Sequence, residues 1–195
     1  MGDKSTQKKQ HILDCAKKVF MEKGYKDVTM KDIVEASEIS RGGLYLYYNS
    51  TKEIFLDILQ MEMQETDDVF SESISEETSA TEILMLFLKE QKKELLRKKN
   101  NLTLAIYEFF LANKISKKEN PLKKQFDEAV YFLNRLIETG VESGEFYCED
   151  TEGAARNIMY VLEGLKITAK TIGISEENVD KELLYIVQGL VIEEE

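Results

Sequence analysis

Pro121 is the only proline in 195 residues, and ten glycines are spread thinly through the rest. A sandwich or barrel needs many tight turns, and turns draw on those two residues. So small a supply leaves helices as the main building material. The apolar spacing agrees: Ile12, Leu13, Ala16, Val19 and Phe20 recur at i, i+1, i+4, i+7 and i+8, one face of a helix. With 43% hydrophobic residues the chain is too apolar for disorder, and it is long enough to bury a core. No window approaches the roughly 18 consecutive apolar residues of a membrane span, and the N-terminus lacks a signal-peptide apolar region. The expectation is an all-α, cytoplasmic protein.

The supply of reactive residues is poor. Cys15 and Cys148 lie far apart and form no CxxC pattern, and His11 is the only histidine. Neither a metal site nor a His-dependent triad is expected from such a set. No GxGxxG, GxxxxGK[ST] or HExxH occurs, so no cofactor is expected either. Met1-Gly2 with Thr6 fits the myristoylation pattern, but three of its positions are free and chance explains the match.

The net charge of -11 argues against a polyanion as partner when taken whole. Its distribution argues differently. Residues 1–50 hold nine Lys and Arg against seven Asp and Glu, so the acidic excess lies entirely in residues 51–195. A slightly basic head on an acidic body implies two jobs in one chain.

The head reads as three helices. Gly24 supplies a left-handed stop after the first, and Tyr25 and Val28 can fold back on it. Thr29 opens a second helix with Asp32 as its capping partner. After a break at Ser37-Glu38-Ile39, Ser40 is the N-cap of a third, Arg41 to Tyr48. Two short helices joined by a tight turn, behind a longer one, is the order of a helix-turn-helix. Gly42 and Gly43 each cost a helix about 1 kcal/mol relative to Ala, so their missing side chains suggest close approach to a partner surface. Arg41 brings a permanent charge, while Tyr45 and Tyr47 offer hydroxyls to phosphate oxygens and ring edges to thymine methyls. Leu44 and Tyr48, four apart, would face the core. The plain alternative is an ordinary aromatic-rich amphipathic helix.

Residues 10–59 resemble the DNA-binding domain of the TetR/AcrR family of bacterial transcriptional repressors. The resemblance is carried by ILDCAKKVFMEKGYKDVTMKDIVEAS (Ile12 to Ser37), SRGGLYLYY (Ser40 to Tyr48) and KEIF (Lys52 to Phe55). It implies that Thr29 caps the second helix and touches a phosphate, that Ser40, Arg41, Gly42, Gly43, Tyr45, Leu46 and Tyr47 form the recognition surface, and that Lys52 adds a phosphate contact. Two departures stand out. Gly43 occupies a position where the family often has Thr or Ser. Three residues, Asn49-Ser50-Thr51, precede the Lys-Glu pair where two are more usual, so Thr51 and Lys52 both remain candidates for that contact. Ser50 and Glu53 form an S-x-x-E capping box that starts a fourth helix.

The body continues as helices. The fourth turns polar from Glu62 to Asp68. Others are expected over Thr81–Lys99 with a basic last turn (Arg97, Lys98, Lys99), Leu102–Lys114 as a buried helix, Pro121 to Gly140, Thr151–Ile172 and Glu176–Val191, roughly nine in all. The expected organisation is a helix-turn-helix head over 1–50 and an effector-binding and dimerisation domain over 51–195. Small and large apolar residues mix in the last two stretches, and the resemblance implies that these join a twin in a homodimer. Two recognition helices would then reach successive major grooves of a palindromic double-stranded DNA operator, about 34 Å apart. It also implies a small-molecule effector site between helices four and eight. Phe87, Tyr107, Glu108, Phe110, Phe126, Tyr131, Met159 and Glu163 are its candidates, an aromatic wall with carboxylates that would suit a cationic, greasy ligand. The functional expectation is a ligand-released repressor, not an enzyme. The rivals are a helical interaction protein whose helix-turn-helix does not bind DNA, and a small helical enzyme.

Overall fold

A computed structural model describes residues 2–71, 78–97 and 101–191, with side chains over 4–62, 78–97 and 101–191. Among the described residues there are nine helices and no strand: α1 (Gly2–Lys23), α2 (Met30–Ser37), α3 (Arg41–Tyr45), α4 (Thr51–Ser71), α5 (Ala80–Leu96), α6 (Thr103–Ala112), α7 (Pro121–Ser143), α8 (Thr151–Thr171) and α9 (Glu176–Gln188). Lys98 and Lys99, expected in a basic last turn, lie outside the described residues, as do the side chains of the polar stretch beyond Glu62. The chain folds as two compact units. The first is Met1–Val69 with Lys98–Pro121; the second is Phe70–Arg97 with Leu122–Glu195.

The first unit is built on α1. Its stripe of Ile12, Leu13, Ala16, Val19 and Phe20 is buried against Ile33, Leu44, Tyr48, Ile54, Phe55 and Ile58. Gly24 closes the helix at φ +78°, and its N–H donates to the Phe20 carbonyl at 2.9 Å. Tyr25 then folds back, stacking on Phe20 at 5.9 Å and meeting Phe109 of α6 edge-on at 4.8 Å. Each fully buried Phe contributes about 1.5–3 kcal/mol of apolar transfer. Phe20, Phe55 and Phe109 thus form a large share of this small core.

Two expectations about this unit change. The apolar stripe begins only at Ile12, yet α1 starts at Gly2, and its polar first turns find partners in Tyr47 through Ser5 and in Asp57 through Lys9. The helix α6, expected to be buried, leaves Leu104 and Leu111 exposed, since only its Ala105–Phe109 face meets the core.

In the second unit, α5, α7, α8 and α9 enclose Leu84, Leu88, Leu133, Ile137, Ile158, Leu162, Val179 and Leu183. Pro121 opens α7 as expected, since its missing N–H costs nothing in the first turn. Gly140, read as that helix's end, lies inside it. The Phe146 ring packs so closely that a Cβ at residue 140 would stand 2.1 Å from it. The true stop is Gly144, at φ +80°. Gly153 likewise serves a cap, because its N–H donates to Asp150 Oδ1 at 2.9 Å where a Cβ would collide with that carboxylate.

Candidate nucleic-acid interface

The start of α2 is tightly tied. Thr29 Oγ1 accepts from Asp32 N–H at 3.3 Å, while Asp32 Oδ2 accepts from Thr29 N–H at 2.8 Å and from the Thr29 hydroxyl at 2.5 Å. Lys23, in the last turn of α1, reaches Asp32 Oδ1 at 2.6 Å. The hydrogen bond from Lys23, then those from Thr29, hold the Asp32 carboxyl well below the ordinary carboxylate range. Thr29 is therefore the expected cap, and its hydroxyl proton is directed at Asp32.

The turn after α2 has a support that sequence reasoning missed. The His11 Nε2–H donates to the Ser37 carbonyl at 3.0 Å, and the buried Ser37 hydroxyl donates to the Ile33 carbonyl at 2.6 Å. The first bond occupies a carbonyl of the last turn, which has no partner within the helix, and the second is a side-chain bond back to the carbonyl one turn earlier. Glu38 follows at φ 55°, the left-handed conformation that reverses the chain toward α3. The only signal in the sequence was the helical register that puts His11 beside the Ile12 stripe.

Ser40 caps α3 as expected, its Oγ accepting from Gly43 N–H at 3.1 Å. A Cβ at Gly43 would stand 3.0 Å from that oxygen and 2.8 Å from Ile39 Cγ2, whereas Gly42 faces open space. The helix is shorter than the expected Arg41–Tyr48. It ends at Tyr45 because the N–H groups of Tyr47 and Tyr48 both converge on the Leu44 carbonyl, at 3.0 and 3.1 Å, tightening the last turn.

Across these eight residues the side chains divide cleanly. Leu44 and Tyr48 are buried, while Tyr45 is 40% and Leu46 85% exposed. Arg41 is exposed, with its guanidinium 5.7 Å from the centre of the Tyr45 ring. Tyr47 is half-buried. Tyr48 donates its hydroxyl to Asp57 Oδ2 at 2.9 Å, and burial, reinforced by that carboxylate, pushes its phenol far above its ordinary value. Ser50 caps α4 through a bond from Glu53 N–H at 3.2 Å, while the Glu53 carboxylate reaches one residue further back, to Asn49 N–H at 2.8 Å. Lys52 is exposed and Thr51 half-buried in the first turn of α4.

The effector candidates are divided between the two units. Tyr107, Glu108 and Phe110 belong to the first unit; Phe87, Phe126, Tyr131, Met159 and Glu163 belong to the second. Glu108 is engaged in the head, where its Oε2 accepts from the N–H groups of Tyr25 at 2.6 Å and Lys26 at 3.1 Å. Phe110 packs edge-on against Phe109 at 5.2 Å. In the second unit Phe126 lies 5.5 Å from Tyr160 and Phe87 lies 6.1 Å from Phe132. Met159 is buried, Glu163 pairs with Lys166 at 2.8 Å, and Tyr131 is 69% exposed on α7. A buried acceptor that the sequence did not flag is Asn134 Oδ1, which has no hydrogen-bond partner among the described residues. A separate open groove of about 870 Å³ runs between α5 and α9, lined by residues such as Met85, Leu88, Leu183 and Leu184 and by none of the effector candidates. Among the described residues no cluster of three His, Cys, Asp or Glu could hold a metal, and no helix is long and apolar enough to cross a membrane.

Known proteins fit this geometry. Residues 12–58 match the profile of bacterial regulatory proteins of the tetR family, and residues 83–180 match the tetracyclin repressor-like C-terminal domain. The HTH-type transcriptional regulator YfiR of Bacillus subtilis is 35% identical over 136 residues, 69% of this chain and 66% of YfiR. The HTH-type transcriptional regulator QacR of Staphylococcus aureus is 25% identical over 159 residues, 80% of this chain and 83% of QacR. Among solved structures, a transcriptional regulator from Saccharomonospora viridis in complex with choline superposes with a TM-score of 0.84 at 21% identity, covering 96% of this chain and 100% of that one. FadR of Bacillus subtilis in complex with stearoyl-CoA gives 0.73 at 20% identity, covering 92% and 98%. With a helix-turn-helix profile on its head and a tetracyclin repressor-like profile on half its length, the chain belongs to the TetR family of bacterial transcriptional regulators.

Proposed function

We propose that the chain is a homodimeric repressor whose Arg41–Tyr48 segments enter successive major grooves of a palindromic operator, and that a small molecule bound in the body releases it. The observation that carries this reading is the division within that segment. Leu44 and Tyr48 anchor it in the head's own core, while Arg41, Tyr45 and Leu46 are left facing outward. These outward side chains lie together on one short stretch of chain. They suit a groove offering thymine methyls and phosphate oxygens. Ser40, Gly42, Gly43 and Tyr47 complete the surface, Thr29, on turning its hydroxyl from Asp32, and either Thr51 or Lys52 add phosphate contacts, and the action is cytoplasmic.

Dimerisation is supported by α8. Asn157, Tyr160, Val161, Gly164, Ile167, Thr168 and Thr171 share one side of this helix at helical spacing, and not one of them is charged. Tyr160 is 62% and Ile167 42% exposed on the single chain. The effector site belongs to the second unit, with Phe87, Phe126, Met159 and Glu163 as its candidates and the unpartnered Asn134 oxygen as an acceptor for a ligand donor. Ligand preference for a conformation that binds DNA poorly would lower operator affinity by about 1–3 kcal/mol.

Operator binding by electrophoretic shift tests the reading. Tyr45→Ala and Arg41→Ala each weaken binding at least tenfold while the dimer, measured by sedimentation, stays intact. Operator affinity equal to the parent in both variants removes the assigned surface. Choline and stearoyl-CoA, the molecules held by two proteins of this fold, are the first effector probes.

A further inference from the structure

The cations of the head are not used alike. Lys9 lies 2.8 Å from Asp57, Lys23 2.6 Å from Asp32 and Lys31 3.6 Å from Glu35, and Lys17 pairs with Glu62. Lys4, Lys8, Lys18 and Lys26 are exposed and form no ion pair among the described residues, and of these Lys4 and Lys8 lie one turn apart at the start of α1. Their position is specific. Ser5, between them in sequence, donates its hydroxyl to the Tyr47 hydroxyl at 3.5 Å, and Lys9 extends over the Tyr48 ring at 5.6 Å from its centre. The first turns of α1 therefore run alongside the end of the recognition segment. The Asp57 carboxylate on α4 is already occupied by Lys9 and the Tyr48 hydroxyl.

A segment lodged in a major groove about 12 Å wide is flanked on both sides by phosphate chains. Cations beside such a segment, rather than on it, meet phosphate instead of base edges. Lysine suits that position, being a point charge on a flexible stem with no planar fork to match to a base. We propose that Lys4 and Lys8 form a phosphate clamp on the duplex flanking the recognition segment, an assignment that rests on the DNA-binding reading above. The clamp adds affinity without sequence preference. Each clamped phosphate releases condensed counterion and steepens the salt dependence of binding by about 0.9 in log–log slope.

The test is the double variant Lys4→Gln/Lys8→Gln in the full-length chain. Glutamine keeps helix propensity, and neither lysine makes an ion pair that folding would miss. Lys123→Gln/Lys124→Gln on α7 removes the same charge far along the chain and serves as control. Two probes are used: a short random-sequence duplex, and the tightest duplex recovered by selection from a random library. For both, the variant's salt slope falls by about 1.8, so that from about 50 to 200 mM salt the parent loses about 12-fold more affinity than the variant. The control keeps the parental slope. An unchanged slope in the double variant, with a parent that binds both duplexes, overturns the clamp and leaves the DNA-binding reading standing. An equal fall in the control reduces the effect to bulk charge and also overturns it. A parent that binds neither duplex overturns the DNA-binding reading, and the clamp with it.

Discussion

At the scale of single residues, the reversal between α2 and α3 is held by a residue poorly suited to it. Glu38 adopts φ 55°, where a Cβ crowds the following carbonyl and costs roughly 1–2 kcal/mol. Its side chain is exposed, so nothing visible offsets that strain. Glu38→Gly removes the crowding but gives the unfolded chain more freedom, which returns part of the gain. A net stabilisation of about 0.5–1 kcal/mol is expected, or roughly 1–4 °C in the thermal midpoint for a chain of this size. Calorimetry of parent and variant decides it, and an unchanged or lowered midpoint would show that the left-handed conformation costs this chain nothing. The position of this turn was legible as the break Ser37-Glu38-Ile39, because apolar periodicity stops there. The His11 bond that braces it was not, since a lone histidine on a helix says nothing of the carbonyl it will meet 26 residues later.

At the scale of elements, what could be read were the features written in local chemistry. Thr29 with Asp32, Ser40, Ser50 with Glu53 and Gly24 mark helix ends through bonds made within a few residues, and Pro121 marks one by the N–H it lacks. What could not be read involves long-range partners. Gly140 resembled a stop until Phe146 was found filling the space of its missing side chain. The partners of Glu108 are distant in sequence too, two backbone N–H groups of the loop after α1 that nothing local to residue 108 signals. The start of α5 combines both kinds. Ser79 and Glu82 form a local capping box, while Glu145, from the turn after α7, accepts from Ala80 N–H at 3.2 Å and Thr81 N–H at 2.9 Å. The Thr81 N–H bond is the main cause that lowers the Glu145 carboxyl to about 2, from an ordinary 4.5. A depressed carboxyl contributes stability that is fully present above its unfolded value and is lost as pH falls toward the folded one. The contribution of Glu145 therefore fades between about pH 4.5 and pH 2. Urea midpoints of parent and Glu145→Gln measured across that range should start apart near neutrality and converge as the pH drops. A constant gap would mean that the carboxylate's charge is not what holds the start of α5.

At the scale of the whole molecule, about a third of all residues are charged, so an uncharged strip on α8 calls for a cause. The core side of this helix is accounted for by Ala155, Ile158, Leu162 and Leu165, all buried in the second unit. The strip of Tyr160, Gly164, Ile167 and Thr171 lies on the opposite side, and a Cβ at Gly164 would meet nothing within 4 Å. An open glycine flanked by partly exposed apolar residues lets a second helix approach closely, and a two-fold axis would pair this strip with its own copy. Ile167→Glu then places two carboxylates near each other and away from water, and an unpaired buried charge costs about 3–5 kcal/mol. That raises the dimer dissociation constant by at least about a hundredfold. Sedimentation equilibrium should show a monomer at concentrations where the parent is a dimer. Far-ultraviolet dichroism should be unchanged, because Ile167 is 42% exposed in the single chain and its replacement disturbs no core. The consequence for DNA follows from geometry: one head reaches one groove, so the variant should keep weak binding to duplex but lose its preference for two half-sites about 34 Å apart. A variant that still sediments as a dimer would move the interface off this helix, and with it the explanation for why so charged a protein leaves that strip bare.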